Sequence, residues 1–430
     1  MNTLALTPIR HPLAATVSLP GSKSLTNRAL LTAALAAGRT TLTHALFSDD
    51  SRYFAEALVR LGFQVQLDED QHTMTVTGLG GRIPSSQAEL FIGNSGTTSR
   101  FLTAMLTLGQ GDYVLDGNAR MHERPIADLL DALRQLGAQV ESPTGCPPVR
   151  VRASGLPGGQ ATIAGNISSQ FLSGLLLVAP QAQAPVELIV QGELNSKPYV
   201  DMTLAVMNDF GVNVERHGYE RFRLAPQPYQ PQREYVIESD ASAASYFFAA
   251  PALLGGTVRV QAIARRSRQG DIAFLDVLAR MGCAVAEADH GIEVTGPVEL
   301  CGLDVDMRDI PDTAQTLAAL APFANSPTII RGIASARVKE TDRVAAMCAE
   351  LRRLGVTVDE YPDGLKIYPC ADFLPATIHT YDDHRMAMAF ALVGLRVPGV
   401  TIENPECVSK TFPNYFEVLE ELRSQEPKDS

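Results

Sequence analysis

No run of apolar residues in this 430-residue chain approaches the roughly 18 that a helix needs to cross a bilayer. The N-terminus does not open with a charged segment and an apolar signal core, so the expected location is the cytoplasm. Metal-binding patterns are equally scarce. The six cysteines (Cys146, Cys283, Cys301, Cys348, Cys370, Cys407) form no C-x-x-C pair and have no histidine nearby at zinc spacing, which makes them free structural thiols. His379 and His384 stand five apart, off a common helix face, and make a poor ligand pair. Positive charge is also short, with 36 Lys and Arg against 48 Asp and Glu, a net charge of -12. That balance argues against nucleic-acid and anionic-membrane partners, so cations that cluster locally serve a small anionic ligand. Gly21-Ser22-Lys23-Ser24 is not a P-loop, because Ser22 separates the glycine from the lysine. At 45% hydrophobic and 20% charged, the chain has material for two cores.

What the chain does contain is a repeat. An apolar helix followed by Leu-x-x-(Leu/Met/Phe)-Gly-x-x-Val, with Met207 for the first Leu in the third copy, recurs with its glycine at Gly62, Gly137, Gly211, Gly282 and Gly355, in steps of 75, 74, 71 and 73 residues. Each glycine reads as a helix stop, where a residue at positive φ is wanted, and a strand of period two should follow. A second series of almost wholly apolar helices begins near Lys23, Asn94, Ser168, Asp240, Asp312 and Asp383. Helices apolar on all sides are buried. Strand-like runs flank them, Thr16–Leu19 before the first and Tyr235–Ile237 before the fourth among them.

The reading is an α/β protein of six β-α-β-α-β-β units in two lobes of three. The sixth unit is incomplete at the C-terminus, and the run Leu4–Thr7 is expected to complete it. Crossings placed near Gly21 and Glu238 assign residues 21–238 to one lobe and 1–20 plus 239–430 to the other.

Chemically loaded residues stand at the helix starts. Serine, threonine, aspartate and proline there are ordinary caps. Lys23, Arg124, Lys339, Arg343, Arg385 and Lys410 are not, because cations are disfavoured at the positive end of a helix dipole. Something negative must compensate, and helix N-termini armed with Lys and Arg make an anion site. The repeats predict one site, built from many helix ends, in a cleft between the lobes.

The strings carrying these residues are Leu19-Pro20-Gly21-Ser22-Lys23-Ser24 with Asn27-Arg28, Gly93-Asn94-Ser95-Gly96-Thr97, Glu123-Arg124-Pro125-Ile126, Ser168-Ser169-Gln170-Phe171 and Ser196-Lys197-Pro198-Tyr199. Arg337 to Arg343, Asp383 to Met388 and Lys410 to Pro413 complete them. In order and spacing the set resembles the 5-enolpyruvylshikimate-3-phosphate synthase family, over essentially the whole chain. The resemblance implies transfer of the enolpyruvyl group of phosphoenolpyruvate to the 5-hydroxyl of shikimate 3-phosphate with release of phosphate, by addition and elimination through a tetrahedral ketal. It implies no metal or other cofactor, and a monomer is expected.

By position, the resemblance gives Lys23, Ser24, Arg28, Ser168, Ser169, Gln170, Ser196, Asp312, Ser335 and Lys339 to shikimate 3-phosphate. Lys23, Asn94, Gly96, Thr97, Arg124, Gln170, Arg343, Arg385 and Lys410 go to phosphoenolpyruvate. Asp312 is implied to accept the hydroxyl proton, with Glu340 and Lys23 serving the methylene carbon. Ser335 stands where many relatives have Asn, and Phe101 replaces a common Pro. Glyphosate inhibition is implied too, with room for the inhibitor left by the missing side chain at Gly96, where an added methyl should hinder the inhibitor more than phosphoenolpyruvate. The sister transferase acting on UDP-N-acetylglucosamine carries a reactive cysteine in the loop corresponding to Asp112–Arg124, and this chain has none there. A non-catalytic anion-binding protein would not need Asp312 and Glu340 beside the cations.

Overall fold

The computed structural model describes residues 2–424. It divides into two compact units, Gly21–Glu238 and Met1–Pro20 with Ser239–Ser430. Each has its own apolar core. One runs from Leu25 to Ile237, and the other joins Ile9–Leu19 to residues between Ala241 and Leu422.

The same small sheet recurs in both units. Gln87–Phe91 lies parallel to Gln110–Asp116, Val149–Ser154 follows antiparallel, and Gln139–Glu141 forms the far edge. Gly159–Ala164, Val186–Gln191, Arg221–Leu224 and Glu215–His217 repeat this order, as do Asp304–Asp306, Thr328–Arg331, Gly364–Ile367 and Val358–Tyr361 in the other unit. The sixth sheet has three strands. Its Thr401–Glu403 is parallel to Thr377–Ile378 and antiparallel to Thr3–Ala5, so the N-terminal strand does supply what the last repeat lacks.

Two sheets take their first strand from elsewhere in the repeat order. Leu13–Val17 precedes the helix Lys23–Leu35 but pairs with Gly256–Gln261, while Tyr235–Val236 precedes Ala241–Leu254 but pairs with Ala37–Thr43. The first and fourth repeats thus trade strands. The reason is where the units part, after Pro20 and after Glu238, between a strand and the helix it introduces. The bonds at these points stay inside each unit: Ser22 N donates to the Glu238 carbonyl at 2.8 Å, and Asp240 N to the Pro20 carbonyl at 3.0 Å.

All five repeat glycines have left-handed φ, between 82° and 105°. Each ends its helix with the same pair of bonds, as in Gly62 N to the Val59 carbonyl (2.9 Å) and Phe63 N to the Leu58 carbonyl (3.0 Å). This is a Schellman stop, with an apolar pair such as Leu58 and Phe63 at the two positions that meet across it. The second helix series is as apolar as its sequence suggests: every residue of Gly96–Leu106 and His384–Gly394 is buried. No helix among the described residues is long and apolar enough to cross a membrane.

The traded strand can be tested by expression. A fragment of residues 21–238 keeps Tyr235–Val236 on Ala37–Thr43 and the Tyr235 ring beside Phe210, with centroids 5.2 Å apart. It should show a cooperative thermal transition. A fragment of residues 8–226, which keeps Leu13–Val17 with the helix it precedes instead, should melt at least several degrees lower or not cooperatively. Equal melting by circular dichroism would remove the strand trade as a structural determinant.

Candidate active site

In Gly21–Glu238, three helices, two of them buried, bring their N-terminal turns together around Arg28. Ser22 caps Lys23–Leu35, its side chain accepting from Leu25 N at 3.4 Å, and Lys23 is the first helical residue, with Nζ 3.4 Å from Asp50 Oδ2. One turn on, Arg28 donates from Nε to Thr203 Oγ1 (2.8 Å), from Nη1 to the Ser24 carbonyl (2.9 Å) and from Nη2 to the Tyr199 carbonyl (3.1 Å) and Ser173 Oγ (3.5 Å). Ser173 lies on Ser169–Val178, which Ser168 caps through Gln170 N at 3.3 Å. Tyr199 and Thr203 lie on Lys197–Asp209, which Ser196 precedes in the left-handed region at φ 57°, without a capping bond from its side chain. Arg28 therefore ties the predicted residues Ser24, Ser168, Ser169 and Ser196 into one neighbourhood. Its partners are neutral oxygens and the face of Phe101, 5.2 Å away. Burial lowers its guanidinium to about 10.

A second group forms at the start of Gly96–Leu106. Arg124 Nη1 donates to the Asn94 carbonyl (2.9 Å) and to Asn94 Oδ1 (3.0 Å), and Gln170 Nε2 donates to Thr97 Oγ1 at 3.3 Å. A methyl group added at Gly96 would come within 2.3 Å of Arg124 Nη2. Glycine here makes room for the guanidinium, so the expectation that a methyl acts first on a bound inhibitor changes: it acts first on Arg124. Arg100 fastens the Arg124 segment to this helix, donating to the Gly96 carbonyl (3.2 Å) and the Pro125 carbonyl (2.8 Å).

In the other unit the centre is Asp312, on the one-turn 3-10 segment Pro311–Thr313 that leads into Ala314–Leu320, with its side chain 17% exposed. Its Oδ1 takes Lys339 Nζ at 2.5 Å and Arg343 Nη1 at 3.1 Å, and its Oδ2 takes Arg385 Nη2 at 2.9 Å. Arg343, first residue of Arg343–Arg353 and 1% exposed, also reaches Glu340 Oε2 (2.8 Å) and Asp383 (Nε to Oδ2, 2.7 Å; Nη2 to Oδ1, 3.2 Å). Asp383 caps His384–Gly394 through Arg385 N at 2.9 Å. The structure thus brings together Asp312, Lys339, Glu340, Arg343 and Arg385. Lys410 is buried at the end of the turn Pro405–Lys410, which packs along His384–Gly394. Ser335 is half-buried on the turn Ala334–Val338 and makes no side-chain hydrogen bond among the described residues.

Burial alone would raise the Asp312 carboxyl, yet Arg385, Lys339 and Arg343 together hold it well below the usual carboxylate range. Lys339 moves down: burial and the like charge of Arg343 outweigh the attraction of Asp312. Arg343 is raised, because Asp383, Glu340 and Asp312 overcome its desolvation. The sequence implied that a ligand must compensate the helix-start cations. In this unit the protein's own carboxylates already do so in part.

Sequence reasoning missed Asp50, Arg100, Ser173 and Thr203 as members of these clusters, and read Asp383 only as a helix start within its string. Ser173 left a faint signal as a hydroxyl inside an otherwise apolar helix stretch, and both it and Thr203 stand four residues after a residue of a quoted string. Among the described residues no group of three His, Cys, Asp or Glu could hold a metal ion.

Fold and site together define a class. The enolpyruvyl transferase NikO from Streptomyces tendae superimposes with a TM-score of 0.78 over 98% of this chain and 97% of its own, at 20% identity, a likeness of fold alone. The EPSP synthase of Acinetobacter baumannii gives 0.80 over 98% of both chains at 26% identity. The family model for EPSP synthase, 3-phosphoshikimate 1-carboxyvinyltransferase, matches residues 8–419. The 3-phosphoshikimate 1-carboxyvinyltransferase of Nostoc punctiforme is 52% identical over 97% of this chain and 98% of its own, and that of Sulfurovum sp. 50% over 99% and 100%. The chain belongs to the EPSP synthase family.

The Asp312 cluster has a measurable signature. A carboxyl held below its unfolded value of about 3.9 stabilises the fold above that pH, and the contribution fades as pH falls through the folded value. Asp312→Asn should therefore cost stability at pH 7, about 1–3 kcal/mol once partial exposure and the released cations are counted. The gap from wild type should narrow below about pH 4. Urea unfolding at pH 7 and pH 3.5 reads both; a gap unchanged by pH would mean that Asp312 is not held down by these cations.

Proposed function

We propose that the helix-start residues of the two units act on one pair of small anions. The reaction is that of the family: the enolpyruvyl group of phosphoenolpyruvate passes to the 5-hydroxyl of shikimate 3-phosphate, releasing phosphate, a step of the shikimate pathway to chorismate and the aromatic amino acids. The sister activity on UDP-N-acetylglucosamine and a purely anion-binding role are not favoured by these relatives. The enzyme works without a cofactor, as a cytoplasmic monomer.

In this reading Arg28, Ser24, Ser168, Ser169, Ser196, Asp312, Ser335 and Lys339 hold shikimate 3-phosphate. Asn94, Gly96, Thr97, Arg124, Arg343, Arg385 and Lys410 hold phosphoenolpyruvate, and Lys23 and Gln170 serve both. The chemistry needs a proton delivered to the methylene carbon as the 5-oxygen attacks the neighbouring carbon, then loss of phosphate and of a methyl proton. Asp312 takes the hydroxyl proton, and Glu340 and Lys23 handle the methyl group.

The observation that carries this reading is Asp312 in the grip of Lys339, Arg343 and Arg385. A carboxylate so held is a poor base. Incoming anionic groups draw these cations off, which raises the Asp312 carboxyl and frees it to accept a proton when both substrates are bound. Binding and catalysis are then coupled through the same three cations.

Three measurements test it. Phosphate release should occur only with both substrates present, and Asp312→Ala should lower kcat by about 10²–10⁴-fold, the range of a lost general base, while shikimate 3-phosphate still binds in calorimetry. Normal kcat at saturation with lost binding would reassign Asp312 to binding alone. Gly96→Ala, which displaces Arg124, should raise KM for phosphoenolpyruvate as well as weaken glyphosate; an unchanged KM would separate Gly96 from the Arg124 guanidinium.

A further inference from the structure

We propose that Tyr381 and Glu350 form a latch that positions Arg385, an inference that rests on the reading of Arg385 as a phosphoenolpyruvate-holding cation. The segment delivering Arg385 is strained. Tyr381 and Asp382 both stand at φ 55°, in the left-handed region where an L side chain crowds its own backbone. Two such residues in succession persist only where their surroundings over-determine them.

Glu350 supplies that determination. Its carboxylate, wholly buried on Arg343–Arg353, accepts from the Tyr381 hydroxyl at 2.7 Å and from His379 N at 3.0 Å, besides Arg353 Nε at 3.1 Å. At the start of the same helix, Arg343 is gripped by Asp383 through Nε at 2.7 Å and Nη2 at 3.2 Å. Seven residues separate Glu350 from Arg343, about 10 Å along the helix axis. One rigid helix therefore holds the chain at both ends of residues 379–383, and Asn404 Nδ2 adds a bond to Asp382 Oδ1 at 3.2 Å. Arg385 follows at once, with its backbone N on Asp383 Oδ1 (2.9 Å) and its guanidinium on Asp312 Oδ2 (2.9 Å).

Glu350 bonds to none of Asp312, Lys339 or Arg385, so a direct part in the chemistry is not its work. Its bonds go to the segment whose end places Arg385. Burial and the bond to Glu350 push the Tyr381 phenol up to about 12, which keeps it a donor at any working pH. These two are positioning residues: they act through Arg385.

Steady-state kinetics of Tyr381→Phe tests the latch, since the ring is kept and only the hydroxyl is lost. KM for phosphoenolpyruvate should rise on the order of ten-fold, the worth of one hydrogen bond to a charged group. KM for shikimate 3-phosphate should stay within about two-fold of wild type. Glu350→Gln, which retains an acceptor, should give a smaller rise than Glu350→Ala. Arg385→Ala should raise KM for phosphoenolpyruvate by itself, and adding Tyr381→Phe to it should raise it no further. A lower melting temperature in Tyr381→Phe with KM unchanged would make the contact merely structural and overturn the latch while leaving Arg385 in place. An unchanged KM in Arg385→Ala would overturn the reading of Arg385, and the latch with it.

Discussion

A cation at the positive end of a buried helix costs free energy twice, once in lost hydration and once against the helix dipole. Much of the polar interior answers that cost, in two ways. Arg343 is surrounded by Asp312, Glu340 and Asp383, and its guanidinium is raised. Arg28, one turn into Lys23–Leu35 and subject to the first of these costs alone, is surrounded by hydroxyls, carbonyls and a ring, and its guanidinium is lowered to about 10. The first is settled internally by charge; the second is only solvated by dipoles. At the proposed site an incoming anion would then gain a new ion pair at Arg28 but exchange partners at Arg343.

The fold makes this possible because its elements are short and their ends are numerous. Each repeat offers a buried helix whose first turn is free of intrahelical bonds, which is where ligands and capping side chains compete. The glycine stops end the other helix series, such as Asp49–Arg60 and Arg343–Arg353, where each closes its helix in two hydrogen bonds and turns the chain directly into the next strand. The traded strands, Leu13–Val17 and Tyr235–Val236, let each unit close three sheets and one core within itself.

Much of this was legible in the sequence, and the limits have physical causes. Gly62, Gly137, Gly211, Gly282 and Gly355 announce themselves because a left-handed stop depends on a few adjacent residues. The buried helices do too, being apolar on every face. Residues such as Lys23, Arg343 and Arg385 were readable as charges in the wrong place for a helix start. Their partners were not. Asp50 with Lys23, Thr203 with Arg28 and Glu350 with Tyr381 are fixed by tertiary packing across tens of residues, and no local pattern distinguishes these from other acids and hydroxyls. The strand trade was hidden for the same reason, since period two shows that a run is a strand and not which sheet will take it.

The charge arithmetic around Asp312 also bears on what the proposed site accepts. Lys339, Arg343 and Arg385 converge on one carboxylate, while Glu340 and Asp383 engage Arg343 from its other donors. A ligand with one negative charge offers these cations nothing that Asp312 does not already provide, and it lacks the advantage of being covalently in place. A ligand bearing a carboxylate and a phosphate offers more charge and more acceptor oxygens than Asp312 can, in a geometry that several donors can share. Discrimination would then arise from competition with an internal anion rather than from pocket shape alone. Any residue that fixes the direction of Arg385 tilts that competition without touching the ligand.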